Sequence, residues 1–144
     1  MRPALAWIAM LFAASGVPTA YAQEMLPGLW EIAVESRVRA DPGFAPAPFR
    51  MTQCFSAEDA RDPGRLLAQV SNPGATGCRY AERRYEGNTL TFTVQCSGNY
   101  ALVSRGRVAF TPGAMDGSID ATADVGGSRV EMQNRITARR TGGC

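Results

Sequence analysis

The 144-residue sequence contains neither histidine nor lysine. Without histidine there is no Ser-His or Cys-His pair for nucleophilic catalysis, and the absence of lysine excludes a Ser-Lys pair as well. The sequence also has no C-x-x-C pair, so neither imidazoles nor closely spaced thiolates are available for a zinc site. These absences exclude the commonest hydrolase and metal-site chemistries, and we expect no metal and no cofactor.

Neither positive nor negative charge is in large excess. The 15 basic residues, all of them arginine, are nearly balanced by 13 acidic ones, which gives a formal net charge of +2. A nucleic-acid-binding domain usually shows a concentrated basic face. The composition therefore does not indicate a nucleic-acid partner.

A long apolar run is present only at the N-terminus. Arg2 precedes an apolar stretch at residues 4–14, and Ala20-Tyr21-Ala22 then supplies the small residues that a signal peptidase reads. A transmembrane anchor is the alternative, but the stretch falls short of the roughly 20 residues that span a bilayer. We therefore expect a signal peptide at residues 1–22, a single domain at residues 23–144, and no transmembrane segment after cleavage.

Four cysteines in a small exported chain indicate a disulfide framework. They are Cys54, Cys78, Cys96 and Cys144. Cys78 and Cys96 lie near the open ends of one predicted hairpin, where a strict two-residue turn would put them on opposite faces and an odd loop would make them face each other. We favour this pair, with Cys54 joined to Cys144 by elimination. The pairing of Cys54 with Cys78 and of Cys96 with Cys144 stays open.

The rest of the sequence mostly alternates between apolar and polar residues. Residues 90–96 (LTFTVQC) show the period of a half-buried β-strand, and turns rich in glycine and asparagine separate such runs at short intervals. One short helical insertion is predicted near residues 56–70. It starts where Ser56 and Asp59 have the spacing of a capping box, and Asp62-Pro63 resembles an N-cap followed by proline at the first helical position.

About seven strands with one apolar face each must hide that face from water. Curling the sheet into a barrel or half-barrel does so, and a two-sheet sandwich would do so as well. We favour the curled sheet because the connections after Gly77 are nearly all hairpins, and because Gly106, Gly117 and Ala121 would let the sheet bend. The predicted fold class is mainly β, an antiparallel meander of about seven strands curled into a barrel or half-barrel.

The apolar face of this sheet carries residues that could line a ligand cavity in the mouth of the barrel. The same residues could equally fill a packed core. They are Trp30, Tyr80, Phe92, Phe110, Met115 and Met132.

Two other functions fit parts of the sequence. Asp116, Asp120 and Asp124 share one strand face, and Asp116 or Asp120 would be the general base of a carboxylate-based hydrolase. The alternative for these residues is a charged, solvated sheet face. The proline-flanked strand at residues 49–54 would lend its edge to a partner protein.

Several motifs, taken in order, carry a resemblance to a known family. They are Pro27-Gly28-Leu29-Trp30-Glu31-Ile32, Met51-Thr52-Gln53-Cys54, Gln95-Cys96-Ser97-Gly98 and the closing Arg139-Arg140-Thr141-Gly142-Gly143-Cys144. This order resembles the domain of unknown function 3617 family, small exported proteins of Gram-negative bacteria. The resemblance covers nearly the whole chain after the leader and implies a location in the periplasm or cell envelope. It implies no reaction. The resemblance thus leads us to expect a periplasmic location. The apolar sheet face and the lack of a catalytic constellation lead us to expect a non-enzymatic protein that binds a hydrophobic or amphipathic ligand or an envelope partner.

Overall fold

The computed structural model describes residues 25–144, so the leader predicted at residues 1–22 lies outside the described part of the chain. The strands are β1 (Gly28–Val38), β2 (Phe49–Phe55), β3 (Cys78–Glu86), β4 (Thr89–Cys96), β5 (Ala101–Thr111), β6 (Ala114–Val125) and β7 (Ser128–Gly142). Two short helices, α1 (Ala57–Arg61) and α2 (Gly64–Val70), lie between β2 and β3. The strand number and the helical insertion are those predicted.

All seven strands form one antiparallel sheet in the order β2-β1-β7-β6-β5-β4-β3. From β3 to β7 each strand pairs with the next one in sequence, and β7 then pairs with β1. β2 and β3 are the two edges and do not pair with each other, so the sheet is not closed. Because the inner side chains of the strands share one core with the helices, the sheet is curled into a half-barrel rather than a complete barrel.

The core lies on the inner face of this sheet. Trp30 and Phe55 stack with 5.4 Å between their ring centroids, and Tyr80 meets Phe92 edge to face at 5.8 Å. The indole Nε1 of Trp30 donates a hydrogen bond to the carbonyl oxygen of Leu26 at 3.0 Å, which satisfies the polar atom of a fully buried ring. The aromatic residues therefore form part of the core that the curled sheet encloses.

Two glycines let inner side chains approach the backbone closely. A Cβ added at Gly106 would lie 2.4 Å from Cζ of Phe92, and one added at Gly117 would lie 2.5 Å from the carbonyl oxygen of Arg107. Both glycines face the core side, as does Ala121, which is 2 % exposed. The small residues predicted to face inward therefore do so, at places where the sheet has no room for a side chain or only for a methyl group, and their role in bending the sheet stays a prediction.

The favoured disulfide pairing is confirmed. Cys54 bonds to Cys144 across a sequence separation of 90, and Cys78 bonds to Cys96 across a separation of 18. The first bond joins the end of β2 to the tail that follows β7, with a Cα–Cα distance of 5.9 Å. Cys144 is therefore tied to an edge strand.

A β-bulge at Ala81 makes the Cys78–Cys96 pair possible. Glu86 pairs with Thr89 across a two-residue turn, and that register alone would put the two cysteines on opposite faces. The register of β3 against β4 shifts by one residue at Ala81, so Cys78 and Cys96 become direct partners.

The start of α1 is as predicted, and the start of α2 is not. Ser56 Oγ accepts a hydrogen bond from the backbone N–H of Asp59, and the Asp59 carboxylate accepts one from the Ser56 N–H, each at 3.1 Å. The Ser56 hydroxyl also donates to the Asp59 carboxylate at 2.7 Å, and this bond, together with the bond from the Ser56 N–H, lowers the pKa of Asp59. In α2 the N-cap is Pro63, with no side-chain cap, because the Asp62 carboxylate binds two side chains of β3 instead.

Candidate functional site

The six residues predicted to line a cavity or fill the core all belong to the core or pack against it. Trp30, Phe92, Phe110 and Met115 are at most 3 % exposed, and their neighbours in the cluster are other buried side chains. Tyr80 and Met132 are half-buried against the same cluster. Four of the six are therefore packed in this structure, and contact of the set with a ligand stays a prediction.

The free edge of β2 is the part of the sheet most open to a partner. Among the described strands β2 pairs only with β1, and we call its unpaired side the β2 edge. Phe49 lies on the inner face opposite Val34 and is 46 % exposed, while Met51 beside it is half-buried. Arg50 and Thr52 are exposed on the outer face. The β2 edge thus presents unpaired backbone N–H and C=O groups, with apolar side chains on the inner face and polar side chains on the outer face.

The opposite edge of the sheet, formed by β3, is protected. Its bulge at Ala81 interrupts a regular ladder, and the next three residues, Glu82, Arg83 and Arg84, are charged. Bulges and charged side chains are the usual means by which edge strands avoid unwanted pairing. The two edges of this half-barrel are therefore not equivalent.

A polar cluster also holds the start of α2 against β3. Arg83 donates to the Asp62 carboxylate at 2.9 Å, and the Tyr85 hydroxyl donates to it at 2.6 Å. The Gly64 N–H donates to the Tyr85 oxygen at 2.9 Å, and the Tyr80 hydroxyl donates to the Gly64 carbonyl. Partial burial raises the pKa of both tyrosine hydroxyls above the ordinary value. The cluster fixes the helices over one side of the core, and we assign it a structural role.

A cleft of about 740 Å³ opens on the outer face, across β2, β1, β7 and β6. Small side chains form part of its floor, including Ala33 on β1 and Thr137 on β7, which are direct partners. Its charged residues are Glu31, Arg50, Asp116, Arg135 and Arg139. The cleft begins at β2 itself, so it adjoins the β2 edge.

Two arginines of this cleft have no ion-pair partner in the described part of the chain. Arg135 pairs with Asp116 at 2.8 Å, whereas no ion pair joins Arg50 or Arg139 to a carboxylate within residues 25–144. Glu31 lies opposite Arg139 in the strand register, and the ion pairs found within residues 25–144 do not include these two residues. Among the described residues, the part of the cleft nearest the β2 edge therefore carries two arginines and one glutamate outside any ion pair, which leaves it with a net positive charge.

The carboxylates considered as general bases lie on this outer face. Asp116 pairs with Arg135 at 2.8 Å and Asp120 pairs with Arg39 at 3.0 Å, with 61 % and 63 % of the two carboxylate side chains exposed. Exposed pairs of this kind are typical of a solvated sheet face. The geometry favours that interpretation of the two aspartates and gives the hydrolase alternative no support.

Sequence reasoning singled out the strand at residues 49–54 but missed the charge next to it. Arg50 stands between Phe49 and Met51, in a strand with no other charged residue, and this isolation was the available signal. The cleft itself could not be predicted, because it depends on which strands lie beside β1. The polar cluster at α2 was hidden by the more common role of Asp62 as a helix cap.

Two further findings concern the described residues. Within residues 25–144 no group of three or more histidine, cysteine, aspartate or glutamate side chains is placed to hold a metal ion. In the same range, no helix has the length and apolar character needed to cross a membrane.

Comparisons with known proteins identify the family of this chain. A family model described as a protein of unknown function (DUF3617) matches residues 25–144, which is the whole described chain. No curated protein and no solved structure matches the sequence. The resemblance stated from the short motifs is confirmed.

Proposed function

Since the chain belongs to the DUF3617 family, whose description assigns no activity, we propose from the geometry that it is a non-enzymatic binding module of the bacterial envelope. Its partner is a protein that pairs with the β2 edge. The observation that carries this proposal is the open side of β2, with Phe49 exposed at its inner face. The leader predicted at residues 1–22 and the two disulfides support a periplasmic location.

The binding mode is strand addition. A partner segment in extended conformation lies along the unpaired side of β2. Its backbone forms hydrogen bonds with the N–H and C=O groups of β2 that point away from β1. Its side chains then point alternately to the inner and outer faces, next to Phe49 and Met51 on one side and Arg50 on the other. Backbone bonds supply affinity in this mode, and the alternating side chains supply specificity.

A hydrophobic or amphipathic ligand inside the half-barrel is the second candidate. Two buried side-chain oxygens favour it, because Oδ1 of Asn72 and Oδ1 of Asn134 lack a hydrogen-bond partner among the described residues. A buried acceptor without a donor is costly, and a ligand hydroxyl or amine would satisfy it. Thermal unfolding with and without a lipid extract of the envelope tests this candidate. Absence of both a shift and a co-purifying lipid would count against it.

Photo-cross-linking in cells tests the proposed function. Benzoylphenylalanine in place of Phe49 lies at the β2 edge, and the same group in place of Val125 is the matched control, since the two residues are 46 % and 52 % exposed. Val125 ends β6, well inside the sheet order. We expect a discrete protein adduct from position 49 and none from position 125. Equal labelling from both positions, or no adduct from position 49, would refute the β2 edge as the binding surface.

A further inference from the structure

Resting on the proposed function, we infer the chemistry of the segment that the β2 edge accepts. It is an extended segment of another protein with a carboxylate side chain beside Arg50. The residues on either side of that carboxylate are apolar and lie beside Phe49 and Met51. The juxtaposition of one free cation with two accessible apolar side chains on a single edge strand defines this pattern.

The requirement for a carboxylate comes from the outer face. Arg50 is exposed, and its partner on β1 is Ala33, which is in turn opposite Thr137 on β7, so no counter-charge lies in that row of the sheet until β6. An added strand places its side chains about 5 Å from those of β2. A carboxylate there meets the guanidinium of Arg50 at the mouth of the cleft that Arg139 also lines. Arginine suits this contact because its fork of donors binds both carboxylate oxygens.

The requirement for apolar neighbours comes from the inner face. Phe49 and Met51 continue the rows of Val34 and Ile32, which are both buried. This apolar surface ends at β2, where Phe49 is 46 % exposed. Apolar side chains of an added strand extend the core by one more row and bury Phe49. Polar residues at these two positions would be desolvated without a partner.

A second copy of this chain does not fit. The β2 sequence, FRMTQCF, contains no carboxylate, so pairing of two β2 strands brings no acidic residue to Arg50. The β3 edge has Glu82 and Glu86, but the bulge at Ala81 interrupts its ladder. Joining β2 of one copy to β3 of the next would also be a head-to-tail contact, which gives rings or filaments and not the two-fold dimer that is commonest among oligomers. The occupant is therefore a segment of a different protein.

The photo-cross-linking experiment also maps the segment. Peptide mapping of the adduct from position 49 identifies the cross-linked residues by mass spectrometry. We expect an acidic residue flanked by apolar ones. Arg50→Glu should lower the adduct yield about tenfold, and Arg50→Gln by less, because an exposed ion pair is lost and, in the first case, replaced by repulsion. Arg107→Glu is the matched control, since Arg107 is an exposed outer-face arginine on β5, and it should leave the yield unchanged.

A charge swap completes the test in the purified protein. The mapped segment is made as a fluorescent peptide, and its Kd is measured for the unmodified chain and for Arg50→Glu. Changing the acidic residue of the peptide to lysine should weaken binding to the unmodified chain and restore binding to Arg50→Glu. An adduct that persists in Arg50→Glu, or a mapped segment without an acidic residue, overturns this inference and leaves the proposed function standing. No adduct from position 49 overturns both, and an adduct to a second copy overturns the choice of occupant.

Discussion

Removing the Cys54–Cys144 disulfide should cost this domain a large part of its stability. The bond spans a sequence separation of 90. On the chain-entropy relation for cross-links, a loop of that length corresponds to about 4.6 kcal/mol in the free energy of unfolding at 25 °C. Domains of ordinary size have only roughly 5–15 kcal/mol in total. The variant without this bond should therefore be folded but marginal.

The perturbation is the double variant Cys54→Ala with Cys144→Ala. Both residues are exposed, so alanine removes no core packing, and β7 keeps its ladders to β1 and β6. The loss should therefore arise in the unfolded chain. Urea unfolding followed by Trp30 fluorescence measures it, and we expect a decrease of about 3–5 kcal/mol with a larger m-value, because the unfolded chain becomes more expanded.

Each single variant, Cys54→Ala or Cys144→Ala, is the control. Because the effect belongs to the bond and not to either side chain, both singles should lose as much stability as the double. The shorter Cys78–Cys96 loop, with a separation of 18, corresponds to about 3.2 kcal/mol on the same relation. A double variant that unfolds within about 1 kcal/mol of the unmodified chain, at the same m-value, would refute the loop-entropy argument.

Three further predictions concern single side chains. Ser56→Ala should cost about 1 kcal/mol, and the cost should shrink in acid, because the pKa of Asp59 lies below 3.8 in the fold and its contribution is lost as pH falls through that lowered value. Gly106→Ala should cost about 1–3 kcal/mol by driving a Cβ into the Phe92 ring. Burial raises the pKa of the Tyr85 hydroxyl above 10.0. The contribution of this group to the free energy of unfolding is therefore fully present below pH 10.0 and is lost as the pH rises above it. Tyr85→Phe should make this alkaline loss of stability smaller. Urea midpoints across pH measure all three.

These variants have their own controls. Gly113→Ala places its Cβ where no atom lies within 4 Å, and it should leave stability nearly unchanged. Equal losses for Gly106→Ala and Gly113→Ala would contradict the packing argument. A Ser56→Ala cost that does not change with acid pH would contradict the capping box, and a Tyr85→Phe variant with the same alkaline loss as the unmodified chain would contradict the role given to that hydroxyl.

Local patterns predicted most of the fold. Alternation of apolar and polar residues located the strands, and the tight turns established the meander from β3 to β7, because neighbours in such a sheet are also neighbours in sequence. The capping box at Ser56 was visible for the same reason, since both partners lie within one helical turn. The pairing of Cys54 with Cys144 followed only by elimination, since nothing local in the sequence shows that the tail reaches β2.

Non-local contacts account for what the sequence could not show. In a regular hairpin with a two-residue turn, Cys78 and Cys96 would lie on opposite faces of the sheet. The single extra residue at Ala81 makes them direct partners instead. Asp62 has the sequence context of a cap, but side chains more than twenty residues away compete for its carboxylate. The free charge of Arg50 depends equally on strands that are distant in the chain. Register shifts and long-range ion pairs leave no periodic signal.

The pairing of β1 with β7 joins the first and last strands in the interior of the sheet, from Val38 opposite Met132 to Leu29 opposite Gly142. Synthesis delivers these partners far apart in time, because at 5–20 residues per second roughly 5–20 s pass between them. Until then β1 can pair only with β2, and a two-stranded hairpin is marginal in water. Contacts of such long range also slow folding. The interior of this sheet can therefore form only after β7 has been synthesised.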